Sequence, residues 1–264
     1  MHMLTVAVVL GIVEGLTEFL PVSSTGHLIL ASSLLGFEGK RAETFEVFIQ
    51  LGAILSVIWE FRTRLWRVTA GFVKGGESRV FGTKILLAFL PAAFVGLFVH
   101  DYISTHLFTP PTVAAALIVG AILILVVEGM HLEVRTHSVE SVTWTQALLI
   151  GVAQCLSLWP GFSRSAATIL GGLTVGLDRR SAVEFSFFLA IPTMFAATTY
   201  NLAKNWSHLE SGDLAWLALS FIISFLVAWA SIRWLLHFVS NHSFRVFAWY
   251  RIIVGVVVLL LLVR

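Results

Sequence analysis

EGLTEFLPVSSTGH, residues 14–27, interrupts what is otherwise an apolar run that begins LTVAVVLGIV. Two glutamates, three consecutive hydroxyls and a histidine have no use on a helix that only fills hydrocarbon. Pro21 lacks an N–H and breaks or kinks a helix interior. The apolar pieces on either side are each shorter than the roughly 20 residues a helical crossing needs. Irregular backbone at membrane depth is tolerated only where it is buried in protein or lines a wet cavity. Residues 4–36 therefore read as a re-entrant helical hairpin.

Composition supplies the bilayer that this reading requires. Hydrophobic residues make up 58% of the 264-residue chain and charged ones 12%, with a mean hydropathy of +0.91. Soluble domains carry about 25% charged residues. The net charge of +2 is too small and too dispersed for a nucleic-acid binder. Cys155 is the only cysteine, which excludes an intramolecular disulfide. The opening MHMLTVAVVLGIVEGLTE lacks the basic region of a signal peptide and is expected to be retained. Trp59, Trp66, Trp144, Trp206, Trp216 and Trp249 flank apolar runs, as interfacial belts do.

Six stretches are long enough, or nearly so, to cross: 44–61, 85–100, 112–129, 184–200, 214–238 and 247–263. A second region, 144–176, repeats the broken pattern around WPGFSRS. GIVEGLTEFLPVSSTGHLIL (11–30) aligns with GVAQCLSLWPGFSRSAATIL (151–170), and FEVFIQLGAI (45–54) with VEFSFFLAIP (183–192). The expectation is an all-α polytopic membrane protein, a single membrane domain over 1–264, with six transmembrane helices and two re-entrant hairpins. Repeat 1 covers about 4–129 and repeat 2 about 144–263. Arg62, Arg64, Arg67, Lys74, Arg79 and Lys84 face Glu77 alone in the loop 62–84, which marks it as cytoplasmic. Asp178-Arg179-Arg180 and Arg245 then fall on the same side, and 101–111 and 201–213 outside, with Lys40 and Arg41 running against the pattern. The hairpins enter from opposite sides, so the repeats are inverted, and such repeats place a site near the midplane.

Glu14 and Glu18 are i and i+4, neighbours on one helical face. Each acid costs about 2.5–3.5 kcal/mol at the bilayer centre on insertion scales. A divalent metal or an arginine is expected to compensate; the alternative is a pair of hydrogen-bonded acids that holds helices together. Among Ser23, Ser24 and Thr25 one hydroxyl suffices as an N-cap. Ser24 and His27 share a face at i, i+3, which suits a hydroxyl nucleophile and an imidazole base. Arg164, between Ser163 and Ser165 at the second break, suits a phosphate through its planar fork and stands where a helix N-terminus aims free N–H groups. Its alternative role is to neutralise Glu14 or Glu18. Glu46, Gln50 and Glu184 read as interhelical hydrogen bonders as readily as site residues. His100, His106, His131, His137 and His208 sit at span ends or in loops and read as solvated. Metal, arginine and nucleophile together describe phosphoryl transfer, and the depth suits a phosphate carried on a lipid. A secondary transporter or flippase for an anionic substrate is the competing class, since it too uses inverted repeats and midplane charges.

At these residues the chain resembles the bacterial undecaprenyl-diphosphate phosphatase family associated with bacitracin resistance. Glu14-Gly-Leu-Thr-Glu18 matches its acidic motif, Pro160-Gly-Phe-Ser163-Arg164-Ser165-Ala-Ala-Thr168 its PGxSRSxxT motif, and His27 its histidine. The resemblance implies hydrolysis of a C55 isoprenyl diphosphate to the monophosphate, which recycles the carrier lipid for cell-wall synthesis. It also implies a prenyl diphosphate substrate among membrane lipids, no nucleic acid, and a multi-pass protein of the bacterial inner membrane. Under the same resemblance, the substrate of the competing transporter or flippase would be a prenyl phosphate. The site would face the periplasm or exterior and use a divalent cation, with a homodimer left open. In this reading Glu14 and Glu18 hold Mg²⁺ or Ca²⁺, two ions between which oxygen ligands alone do not choose. Arg164, Ser163, Ser165, Ser23, Thr25 and Thr168 contact phosphate. Ser24 attacks with His27 as base, or His27 itself is the nucleophile.

Overall fold

Where the apolar run is short the helix is short, and the chain turns back on itself. The computed structural model describes residues 2–205 and 213–262; Trp206, His208, most of the expected external segment 201–213 and the last residue of the span 247–263 lie outside the described residues. α1 (His2–Thr17) is followed by a non-helical break and by α2 (Ser24–Leu34), which packs back on α1. Further along, α7 (Trp144–Gln154) continues into a 3₁₀ turn (Cys155–Leu158), breaks, and is followed by α8 (Arg164–Thr174), again packed on its own first half.

The long elements are α3 (Lys40–Glu60), α5 (Glu77–His106), α6 (Pro110–Gly129), α9 (Arg179–Asn205), α10 (Leu214–Phe238) and α11 (Arg245–Leu262). Five of them, α3, α5, α6, α9 and α10, are long and apolar enough to cross a membrane, whereas α1 and the stretch Trp144–Leu158 are apolar but shorter. Among the described residues the named elements are all helices, and the chain is thus a helical, multi-pass membrane protein. Its outer surface agrees: only 28% of the apolar window of α5 is buried, and Leu97, Phe98 and Leu260 are exposed, an apolar surface that water does not tolerate. Trp59, Trp66, Trp144 and Trp249 are exposed, while Trp216 packs partly buried against the core.

The segment 62–84, expected as a loop, is mostly helical. α4 (Arg62–Lys74) is amphipathic: Leu65 and Val68 pack on the core, and Arg62 and Arg67 are exposed. A high density of arginine disqualifies a segment from hydrocarbon, not from helix. Gly75 and Gly76, both at left-handed φ (85° and 79°), turn the chain from α4 into α5. α5 and α9 also outrun the expected spans 85–100 and 184–200, because hydropathy marks only their hydrocarbon portion.

Packing pairs occur in corresponding sets. α1 lies on α10 as α7 lies on α5, and α3 packs on α10 as α9 packs on α5. α3 also meets α9, and α6 meets α11. The first of these sets depends on glycine: a Cβ on Gly11 would stand 2.8 Å from the Ser220 carbonyl oxygen, and one on Gly151 would overlap the Ala88 backbone. Small residues let membrane helices approach this closely. Gly11→Val and Gly151→Val are each expected to separate their helix pair and destabilise the fold by about 1–3 kcal/mol. Both should lower the melting temperature in detergent, and Gly129→Ala, whose Cβ meets nothing, should leave it unchanged.

Candidate active site

Each break ends in a serine held in an unusual conformation. Ser23 (φ 72°) and Ser163 (φ 78°) are the non-glycine residues with positive φ among the described residues. Each caps the helix that follows: Ser23 Oγ accepts from the Gly26 N–H at 3.4 Å, and Ser163 Oγ from the Ala166 N–H at 3.2 Å. The caps bring the N-termini of α2 and α8 to the same cavity of about 180 Å³, lined by Ser23, Ser24 and Thr25 from one break and Gly161, Ser163 and Arg164 from the other. Glu18, Gln50, Ser157, Thr193 and Met194 complete most of its wall. Helix N-termini facing one space favour an anion there.

Glu18 joins the two breaks. Its Oε2 accepts from Ser24 Oγ at 2.6 Å, and its Oε1 from Arg164 Nη2 at 3.1 Å. Arg164 Nη1 donates to the Ser186 carbonyl at 3.0 Å, and the guanidinium lies 5.7 Å from the Phe19 ring. Its Nε is buried without a partner. An unsatisfied buried donor beside a cavity, on a residue suited to phosphate, fits an anionic ligand.

The expected phosphate contacts divide in two. Ser23, Thr25, Ser163 and Arg164 line the cavity. Ser165 and Thr168 serve the scaffold instead: Ser165 Oγ donates to the Leu20 carbonyl of the other break at 2.8 Å, and Thr168 Oγ1 donates to Ser186 Oγ at 2.7 Å. The Ser24–His27 pair is not formed. A carboxylate takes the Ser24 hydrogen, and the imidazole turns away, with Nδ1 2.7 Å from the Ser23 carbonyl and Nε2 2.8 Å from the Tyr250 hydroxyl. Spacing placed the two side chains on one face and said nothing about which stronger acceptor stood nearby. Ser32 Oγ reaches Glu46 Oε1 at 3.4 Å. Glu184 pairs with Arg64 and Arg180, a structural role away from the cavity.

Glu14 is fully buried and both of its carboxylate oxygens lack a hydrogen-bond partner. Glu18, Glu46 and Arg164 are the charges that act on it. Orphaned carboxylate oxygens beside a second carboxylate fit a cation. Among the described residues no three His, Cys, Asp or Glu side chains converge to hold a metal by themselves. Of the two acids, Glu18 lines the cavity and Glu14 is not among its lining residues.

Arg251, on α11, went unremarked in the sequence. Its side chain is fully buried and donates to five carbonyls: Pro21 in the first break (3.2 Å), Gly161 and Phe162 in the second (3.3 and 2.7 Å), and Ala116 and Leu117 on α6 (both 3.2 Å). Gly120 leaves room for it, since a Cβ there would overlap the guanidinium. The signal was present: a cation amid the apolar run 247–263 with no acid on its own helix.

Comparison with known proteins places the chain among close relatives. The family model described as bacitracin resistance protein BacA matches residues 7–257. The undecaprenyl-diphosphatase of Ectopseudomonas mendocina is 53% identical over 253 residues, 96% of this chain and 92% of the relative. That of Laribacter hongkongensis is 49% identical over 257 residues, 97% and 94% of the two chains. Undecaprenyl-diphosphatase 2 of Rhodospirillum rubrum is 52% identical over 258 residues, again 97% and 94%. These names lend no support to a transporter.

Removing Arg251 strands the carbonyls it serves, at about 1–3 kcal/mol for each group left unsatisfied. Arg251→Met is expected to lower the melting temperature in detergent sharply and to open the breaks to limited proteolysis. Gly120→Ala, which displaces the guanidinium without deleting it, should do so less.

Proposed function

The chain belongs to the bacitracin resistance protein family, and on that premise we propose that it hydrolyses undecaprenyl diphosphate to undecaprenyl phosphate and phosphate in the cavity between its two broken segments. The product is the carrier lipid used in cell-wall synthesis. The observation that carries the reading is the Ser24 hydroxyl, hydrogen-bonded to Glu18 at 2.6 Å, across the same cavity from Arg164 and its unpartnered Nε.

Ser24 Oγ attacks the terminal phosphorus and its proton passes to Glu18 Oε2, which already holds that hydrogen bond. The bond from phosphorus to the bridging oxygen breaks, and the prenyl phosphate leaves as a stable anion that needs no proton. Water then attacks the phosphoserine, Glu18 returns its proton to the departing serine oxygen, and inorganic phosphate leaves carrying the hydrogens of that water, which restores the Ser24 hydroxyl and the Glu18 carboxylate. Arg164 clamps the transferring group through Nε and Nη2, assisted by the Ser23, Thr25 and Ser163 hydroxyls and by the N–H groups at the start of α2 and α8. Glu18 replaces His27 as base, because it is the group that the Ser24 hydrogen meets. Glu14 and Glu18 would hold a divalent cation, Mg²⁺ or Ca²⁺, which when bound neutralises charge on the diphosphate oxygens.

The proposal extends to architecture. α3, α5, α6, α9, α10 and α11 form six crossings, and α1–α2 and α7–α8 two re-entrant hairpins, in two inverted repeats of about 4–129 and 144–263. The exchangeable packing pairs, the close-approach glycines Gly11 and Gly151 and the twin serine caps support it. Arg64 bonds Glu184 and Glu140, and Arg179 and Arg245 both bond Glu128, so the basic segments gather at one end of the bundle. That end is cytoplasmic by its charge, and the cavity opens to the periplasm or exterior. Arg41, one of the two exceptions in the charge pattern, is neutralised at the other end by Asp213, its Nε donating at 2.9 Å.

Four measurements test this. Purified protein should release phosphate from the prenyl diphosphate in detergent, and lose that activity to EDTA. Glu18→Gln should cost about 10²–10⁴ in kcat, the contribution of a general base. Arg164→Lys keeps the charge and loses the fork, and should lose at least about tenfold in kcat, roughly 1.4 kcal/mol of barrier; wild-type kcat there would reduce Arg164 to a counter-charge. For topology, Ser104→Cys in a Cys155→Ser background should react with an impermeant thiol reagent in intact cells, and Ser78→Cys should not. The reverse labelling would turn the site to the cytoplasm.

A further inference from the structure

Both ring nitrogens of His27 are engaged. Nδ1 lies 2.7 Å from the Ser23 carbonyl oxygen and Nε2 lies 2.8 Å from the Tyr250 hydroxyl. A carbonyl oxygen only accepts, so the network assigns the ring proton to Nδ1. In the neutral ring Nε2 is then an acceptor, and the Tyr250 O–H donates to it. The two rings are nearly parallel, 7° apart, with centroids at 5.5 Å. No ring nitrogen is left for Ser24, whose hydrogen is already on Glu18.

This chain of bonds acts on Ser23. Ser23 is held at φ 72°, ψ 100°, a region that costs a non-glycine residue of order 1–3 kcal/mol. The orientation of Ser24, the next residue, depends on that conformation. At the second break Ser163 adopts nearly the same geometry, φ 78°, ψ 115°, and its carbonyl accepts the backbone N–H of Ala167 at 3.0 Å. Ala167 is the counterpart of His27 in the alignment of the two halves. Where the second break uses backbone alone, the first, which carries the hydroxyl to be aimed, adds an imidazole and a phenol from α11.

We propose that His27 and Tyr250 form a positioning relay. The Tyr250 hydroxyl fixes the imidazole as its Nδ1–H tautomer, and that N–H pins the Ser23 carbonyl so that Ser24 presents its oxygen to phosphorus and its hydrogen to Glu18. The inference rests on Ser24 as the nucleophile in the function proposed above. It assigns a role to Tyr250 and makes His27 a positioning residue rather than a base or nucleophile. Pinning matters because small misplacement of a reacting group costs about 10²-fold in rate.

Conservative rescue decides the point. Asparagine places an N–H donor where Nδ1 stands and offers no base, whereas alanine offers neither. With phosphate release from the prenyl diphosphate as readout, His27→Ala should lose about 100-fold in kcat with little change in KM. His27→Asn should recover to within about tenfold of wild type, and Tyr250→Phe should lose about three- to tenfold, the worth of one hydrogen bond. Tyr250→Phe should add no further loss in the His27→Asn background, because an amide has no tautomer to fix. Equal inactivity of the Asn and Ala variants, both melting at the wild-type temperature, would give His27 a chemical role and overturn the relay, as would wild-type kcat in Tyr250→Phe. A second readout is independent of turnover. In ¹⁵N-histidine-labelled protein the resonances lost in His27→Asn belong to His27, and should report Nδ1–H in wild type and a tautomer mixture in Tyr250→Phe. An Nε2–H ring in wild type defeats the relay. Absence of phosphate release from wild-type protein would defeat the proposed function, and the nitrogen spectra would still decide the relay.

Discussion

A helix broken inside a bilayer strands carbonyl groups that hydrocarbon does not hydrogen-bond, at several kcal/mol for each. Here one guanidinium takes up three of them, from Pro21 in the first break and from Gly161 and Phe162 in the second. The remaining donors of Arg251 hold α6, where Gly120 makes space. Its five partners are all carbonyl dipoles. A buried cation served only by dipoles is expensive on its own account, and the fold tolerates it because the same contacts fix both breaks relative to each other. Everything at the cavity follows from that registration, since Glu18 comes from one break and Arg164 from the other.

The breaks themselves were legible. Pro21 and Pro160, short apolar halves and runs of hydroxyls pointed to interrupted helices, and the caps formed at Ser23 and Ser163 as the hydroxyl positions suggested. The partners of the individual side chains were not legible, because pattern gives position without partner. Ser24 and His27 share a face, but hydrogen bonds go to the better acceptor in reach, and Glu18 lies six residues back across a turn whose shape no spacing rule describes. Ser165 and Thr168 belong to a phosphate-like motif and yet spend their hydroxyls on Leu20 and Ser186. Arg251 and Tyr250 were missed because a span was judged by its average hydropathy, and an average dilutes a single residue. Their distance from the motifs, more than 220 residues from Ser23 in sequence for Tyr250, left no local pattern to find.

The two breaks share a backbone and differ in chemistry. Each has a left-handed serine, a capped helix and a close-approach glycine twelve residues before the serine (Gly11 and Ser23, Gly151 and Ser163). At the position after the cap the first break has Ser24 and the second Arg164, a hydroxyl against a cation. Glu14 corresponds to Gln154 and Glu18 to Leu158, so the carboxylates are on one side only. A symmetric pair of anion-attracting helix N-termini binds a phosphate without preferring a direction of attack. The acids and the hydroxyl come from one half and the guanidinium from the other, and in the proposed mechanism the first half removes the proton while the second stabilises charge. The backbone common to the two breaks accounts for the paired helix N-termini at the cavity, and the proposed direction of attack comes from the residues in which they differ. In the proposed relay the imidazole and phenol at the first break belong to the same logic, because that half supplies the attacking hydroxyl.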